Sequence, residues 1–142
     1  MYWINDLQNA LFFIEEKLLD DLSVEEVAIQ ANSSNANFQR IFSIVVGMTV
    51  GDYIRCRRLS LAGKELAESD AKVIDVALKY GYESTEGFTK AFKRFHNITP
   101  SAVKNRSSCL RKFYPLSIKI DIKGGFYYEE EKDRNKAARP AN

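Results

Sequence analysis

The chain has 142 residues, of which 45% are hydrophobic and 28% charged, and its formal net charge is +2. This supports one compact domain, or one domain with an appendage, and no apolar run reaches the roughly 18 residues of a membrane span. The start, Met1-Tyr2-Trp3-Ile4-Asn5-Asp6, lacks the basic stretch of a secretory signal, and the two cysteines, Cys56 and Cys109, match neither a zinc pattern nor a disulfide framework.

Apolar residues recur at helical spacing up to about Val103. A first helix is predicted over residues 5–19, with Leu7, Leu11, Ile14 and Leu18 as its stripe. Ser23-Val24-Glu25-Glu26 reads as a capping box: the Ser23 hydroxyl accepts from the Glu26 amide, and Glu26 reaches back to the cap backbone. A short helix follows, broken at Asn32-Ser33-Ser34, and the next spans residues 35–46 and stops at Gly47. Thr49 opens a longer helix that ends near Glu68. Ser69-Asp70 is expected to cap a short helix over residues 73–80, closed by Gly81. Ser84 caps a helix that ends near Phe95, with Asn97 suited to a left-handed stop. Thr99-Pro100 opens a last short turn. Residues 116–123 alternate with period two before Gly124-Gly125 and are expected to form one strand. Residues 129–142 are charged, poor in apolar groups and expected to be disordered.

The helical region contains an internal repeat. Val24-Glu25-Glu26-Val27-Ala28 matches Val73-Ile74-Asp75-Val76-Ala77, and Phe38-Gln39-Arg40-Ile41-Phe42 matches Phe88-Thr89-Lys90-Ala91-Phe92. The offset is 49 residues before the turn and 50 after it, so the second turn carries one extra residue. Each copy is a short helix, a tight turn with a hydroxyl cap, and a longer helix, which is the helix-turn-helix arrangement. Two copies fall short of the roughly three that a solenoid needs. The Phe pairs at i, i+4 face the core and turn the polar residues between them outward. The helix between the copies is a spacer of about 20 residues, or roughly 30 Å, close to the ~34 Å of one DNA turn.

Charge is unevenly spread. Residues 1–31 carry one Lys against seven Asp/Glu, whereas residues 32–107 carry twelve Lys/Arg against seven acids. A basic middle suits a polyanion partner. The alternative is a helical protein-interaction module. An enzyme is disfavoured, because His96 is the only histidine and no glycine-rich phosphate loop occurs. His96 lies near a helix end and reads as structural or solvent-facing. Cys56 reads as a plain reduced thiol, although its arginine neighbours favour a lowered pKa. No catalytic residue, cofactor or metal is expected.

Residues 23–104 resemble the DNA-binding domain of the AraC/XylS family of bacterial transcription regulators. The resemblance rests on Val76-Ala77, Gly81-Tyr82-Glu83-Ser84, Phe88, Phe92-Lys93, Phe95 and Thr99-Pro100-Ser101, with Gly47, Tyr53-Ile54 and Arg57-Arg58-Leu59 beside them. It implies an all-α fold of about seven helices, with two helix-turn-helix units joined by a spacer helix. It also implies a cytoplasmic, nucleoid-associated regulator that reads double-stranded DNA in successive major grooves. Ala36, Gln39 and Arg40 on the first reading helix, and Thr85, Glu86, Thr89 and Lys90 on the second, would address bases. Ala36 and Glu86 depart from the family's usual residues. Ser34, Asn35, Ser84 and Lys93 would meet phosphates. The implied organisation is a DNA-binding domain at 1–107, a linker with a lone strand at 108–128, and a tail at 129–142. The stretch from Tyr114 to Gly125 is similar to the start of a GyrI-like effector-binding domain. Its exposed edge is expected to pair weakly with a second copy. The acidic first helix is expected to offer a surface to a partner such as RNA polymerase.

Overall fold

A computed structural model describes residues 2–106 and 109–126. The expected tail at 129–142 lies outside these residues. Seven α-helices and one 3-10 turn follow in order. They are α1 (Tyr2–Glu16), α2 (Val24–Gln30), α3 (Asn35–Val46), α4 (Val50–Glu68), α5 (Val73–Lys79), α6 (Thr85–His96), the 3-10 turn Pro100–Ala102 and α7 (Val103–Arg106).

The helices pack into two cores that share α4. Leu7, Leu11 and Ile14 of α1, Val27 of α2, and Phe38 and Phe42 of α3 close on Val50, Tyr53 and Ile54 in the first half of α4. Leu59, Ala62 and Leu66 in its second half close on Val76, Ala77, Phe88, Phe92 and Val103. Leu61 touches both cores. An apolar stripe along one 19-residue helix therefore serves two units in succession.

Most termini follow the predicted chemistry. Ser34, Thr49 and Ser84 are N-caps whose hydroxyls accept from Asn37 N, Asp52 N and Gly87 N at 3.3, 3.1 and 3.1 Å. Gly47 (φ 86°) and Asn97 (φ 64°) take the left-handed stop positions.

Four local expectations are corrected. α1 ends at Glu16 rather than residue 19, because the Lys17 amide bonds both Phe13 O and Ile14 O and the chain turns. Leu18 is still buried from that turn, which is why the periodicity ran on. Glu26 accepts from the Ser23 hydroxyl at 3.0 Å rather than from the cap backbone. Ser69 closes α4, donating to Glu65 O at 2.7 Å, and does not cap α5. The N-cap of α5 is Lys72, which makes no side-chain cap bond.

The fourth correction concerns residues 116–123, which form no strand. No partner strand is present among the described residues to satisfy their backbone, so the ladder cannot form. Residues 110–118 instead lie extended across α4 and α1. Arg111 N donates to His96 Nδ1 (3.0 Å), Phe113 N to Ser60 Oγ (2.9 Å), Leu116 N to Tyr53 OH (3.0 Å) and Ile118 N to Gln8 Oε1 (2.7 Å). Leu110 packs on the second core, and Phe113 and Ile118 pack on the first.

Candidate nucleic-acid interface

The two turns are built alike. Asn32 (φ 51°) and Gly81 (φ 90°) each take a left-handed conformation. The next residue then bonds back to the short helix: Ser33 N to Ala28 O at 3.1 Å, and Tyr82 N to Ala77 O at 2.9 Å. These pairs keep the offset of 49, and Glu83 is the added residue before the Ser84 cap. The backbone therefore reproduces the sequence repeat.

Phe38 and Phe42 pin α3 to the first core, with ring centroids 5.7 Å apart, and Phe88 and Phe92 pin α6 to the second at 5.4 Å. The opposite faces are open. Ser34, Ala36, Gln39 and Arg40 are exposed and Asn35 is half-buried. Ser84, Glu86, Lys90 and Lys93 are exposed, while Thr85 and Thr89 are half-buried. Every predicted site residue thus lies on a solvent-reaching face of α3 or α6, or at its cap.

The polar side chains of α3 are tied together. Gln39 Nε2 donates to Asn35 Oδ1 at 2.6 Å, and Asn35 Nδ2 donates to Glu25 Oε1 at 3.0 Å. Arg40 Nη2 donates to Asn37 Oδ1 at 2.7 Å, and Asn37 Nδ2 to Ser33 Oγ at 3.1 Å. On α6, by contrast, a groove against α4 collects Arg55, Lys90, Arg94 and Arg111 beside Met48 and Phe95. Its charge is partly offset by Asp52, 2.5 Å from Arg55.

Sequence reasoning missed two structural arginines. Arg57 is buried (4% exposed) and grips Glu15 through Nε at 2.9 Å and Nη2 at 2.6 Å, while Nη1 donates to the Phe113 carbonyl. Arg58 donates to the carbonyls of Leu18 (2.8 Å) and Asp20 (3.0 Å). Arg57 thus fastens α1 to α4, and Arg58 fastens the turn after α1 to α4, so part of the basic middle serves the fold. Arg57 lies four residues after Tyr53 and three after Ile54, so the helical period could have placed it on the buried face.

His96 is a core residue. It is 1% exposed, packs between Phe92 and Phe95, and has Nε2 2.8 Å from Leu59 O. With Nδ1 accepting from Arg111 N, the ring is the neutral tautomer protonated on Nε2. Burial holds its pKa below the ordinary value, outweighing the Leu59 carbonyl. Burial likewise pushes the Cys56 thiol up, with Asp52 adding to it, against the lowering expected from its arginine neighbours. No helix among the described residues is long and apolar enough to cross a membrane.

Comparison with known proteins fits this geometry. The model of the helix-turn-helix domain family matches residues 27–106. The chain is 38% identical over 104 residues to the HTH-type transcriptional regulator YbfP of Bacillus subtilis, using 73% of this chain and spanning 35% of YbfP. It is 40% identical over 95 residues to the HTH-type transcriptional activator AarP of Providencia stuartii, using 67% of this chain and 70% of AarP. Among solved structures it resembles the DNA-binding domain of the global transcriptional factor AdpA in complex with a target DNA. The TM-score is 0.65 at 26% identity, over 70% of this chain and 90% of that one. With more than half its length matched by the family and two helix-turn-helix units built to one plan, the chain belongs to the AraC-type helix-turn-helix transcription regulators.

Proposed function

We propose that the chain recognises double-stranded DNA by placing α3 and α6 in successive major grooves. Ala36, Gln39 and Arg40 address one set of bases, and Thr85, Glu86, Thr89 and Lys90 the other. Arg40 pairs with guanine and Gln39 with adenine, the pairings their donor and acceptor patterns match. Ala36 offers a methyl group to thymine, and Glu86 an acceptor to cytosine. Ser34 and Ser84 keep a hydroxyl proton free for phosphate while their oxygens cap the helices. Asn35 is occupied by Glu25 and Gln39, so its backbone amide at the helix start is the group offered to phosphate. Lys93 adds charge.

The observation that carries this reading is the opposition of faces on both helices. Buried Phe pairs hold α3 and α6 to one shared helix, and polar residues fill the free side of each. α4, at 19 residues, is about 28 Å long, near the ~34 Å of one duplex turn. The AdpA domain, solved on its target DNA, lends further support. On this reading the protein works in the bacterial cytoplasm at the nucleoid. Acidic α1 is the surface proposed for RNA polymerase. Self-association is proposed through the exposed Ile120 and Ile122. The GyrI-like start stays a resemblance of residues 114–125 alone.

The test is selection from a random duplex pool, followed by affinity measured against salt. The logarithm of affinity should fall with the logarithm of salt, with a slope of about −0.9 per phosphate neutralised. Arg40→Ala should cost about 1–3 kcal/mol and relax one base pair. A flat salt response, or a footprint confined to one groove, would overturn the reading.

A further inference from the structure

The bond chain ending on Gln39 begins outside the recognition helix. Glu25 stands in the first turn of α2, the bracing helix, and accepts from Asn35 Nδ2 at 3.0 Å. With its amide nitrogen committed to a carboxylate, Asn35 must present Oδ1 to Gln39. Gln39 therefore turns Nε2 inward, at 2.6 Å, and keeps Oε1 and its second N–H at the outer edge. The reversed Gln39 amide would set Oε1 against Asn35 Oδ1, two acceptors with no proton between them. One acceptor and one donor, in fixed order, is the complement of N6 and N7 of adenine.

We propose that Glu25 is a positioning residue for base recognition: acting through Asn35, it fixes the orientation of the Gln39 amide and so the adenine preference at the base pair Gln39 meets. The inference rests on Gln39 being a base reader. The second unit shows what the same backbone looks like without the device. Glu25 corresponds to Ile74, Asn35 to Thr85 and Asn37 to Gly87. Ile74 has no acceptor and Gly87 no side chain. The side chains of α6 therefore meet bases without a carboxylate at the Glu25 position of the bracing helix to orient them.

The experiment uses the full chain with Glu25→Ala, Glu25→Gln and Gln39→Ala. Affinity is measured for duplexes carrying each of the four base pairs at the position that Gln39 meets in the selected site. The two Glu25 variants have the same charge, so their attraction to phosphate is equal and only the acceptor differs. Glu25→Ala should lower the adenine preference about fivefold, the worth of one net hydrogen bond, while Glu25→Gln stays within about twofold of the parent. Equal loss in both variants would assign the effect to charge and overturn the proposal. Unchanged selectivity in Glu25→Ala, with loss in Gln39→Ala, would also overturn it and leave Gln39 a base reader. If Gln39→Ala alters selectivity at no position, the reading of Gln39 falls and the proposal with it. Glu25 is exposed, and thermal melting of both variants checks that a shared loss of helix-start charge leaves α2 folded.

Discussion

The two helix-turn-helix units share a backbone and an apolar pattern but differ in almost every polar choice. In the first, hydrogen bonds tie the outward side chains of α3 to each other and to α2. In the second, the outward residues of α6 stand beside a groove of cations, and the polar complexity lies inside, at His96. The position equivalent to His96 in the first unit is Val46. Burial restricts most core positions to apolar residues, because a cavity or an unpaired polar group there costs more than the fold can spare, and His96 is tolerated because both ring nitrogens are bonded. Exposed polar positions carry little stability, so the outward side chains of the two units were free to diverge.

Core truncation is the harshest way to break this comparison. Phe42→Ala and Phe92→Ala should each cost about 3–5 kcal/mol, since both rings are fully buried. Trp3, the sole tryptophan, sits on α1, so its fluorescence follows the first unit while far-UV circular dichroism follows both. Phe92→Ala should lower the dichroism midpoint more than the fluorescence midpoint. Coincident transitions would show that the two cores melt as one body.

A subtler strain belongs to the second unit alone. A Cβ at Gly63 would lie 2.8 Å from His96 Nε2 and 3.2 Å from Leu110 Cδ2. Both ring nitrogens are bonded, so the ring cannot swing aside without losing a partner. Alanine gains about 1 kcal/mol of helix propensity but meets about 1–3 kcal/mol of overpacking and a lost hydrogen bond of about 1 kcal/mol. Gly63→Ala should therefore destabilise by roughly 1–3 kcal/mol in urea titration, and a rise in stability would show that the contact relaxes freely.

Acid should also separate the units. His96 titrates below its ordinary 6.5 when folded, so just below that pH the unfolded chain binds the extra proton and the folded chain does not. Its stabilising share is complete above about pH 6.5 and is lost as pH falls toward the folded pKa. The urea midpoint should fall between about pH 7 and about pH 5 by more in the parent than in His96→Val, which borrows the residue of the first unit. Identical pH slopes would remove His96 from the account. The smallest effect is expected on α6: Lys93→Ala should reduce the salt slope of DNA binding by about one and weaken all sequences alike. A base-specific loss would make Lys93 a reader.

Much of the architecture was legible because it rests on local rules. Phe pairs at i, i+4, hydroxyl caps and left-handed stops each leave a mark within a few residues. The segment at 116–123 was not legible in this way. Alternating isoleucines describe a strand and an extended strap equally well, and only the groups waiting at Tyr53 and Gln8 decide between them. Ile118 is half-buried while Ile120 and Ile122 are exposed, an asymmetry invisible in the alternation. The outward faces of α3 and α6 were legible as lists of mostly polar residues that reach solvent. The order of bonds within them was not, since Glu25 and Asn35 are ten residues apart on different helices.

From the sequence alone came the repeat, the helix limits to within a turn or so, and the division of each long helix into an apolar and a polar face, because these depend on periodicities of three to five residues. Tertiary structure decided which charges are structural. It set Arg57 against Glu15, 42 residues away, placed a histidine between α4 and the returning chain, and gave Gln39 its orientation. Those outcomes depend on groups brought together from distant parts of the chain, and a hydrogen bond forms only where both partners arrive.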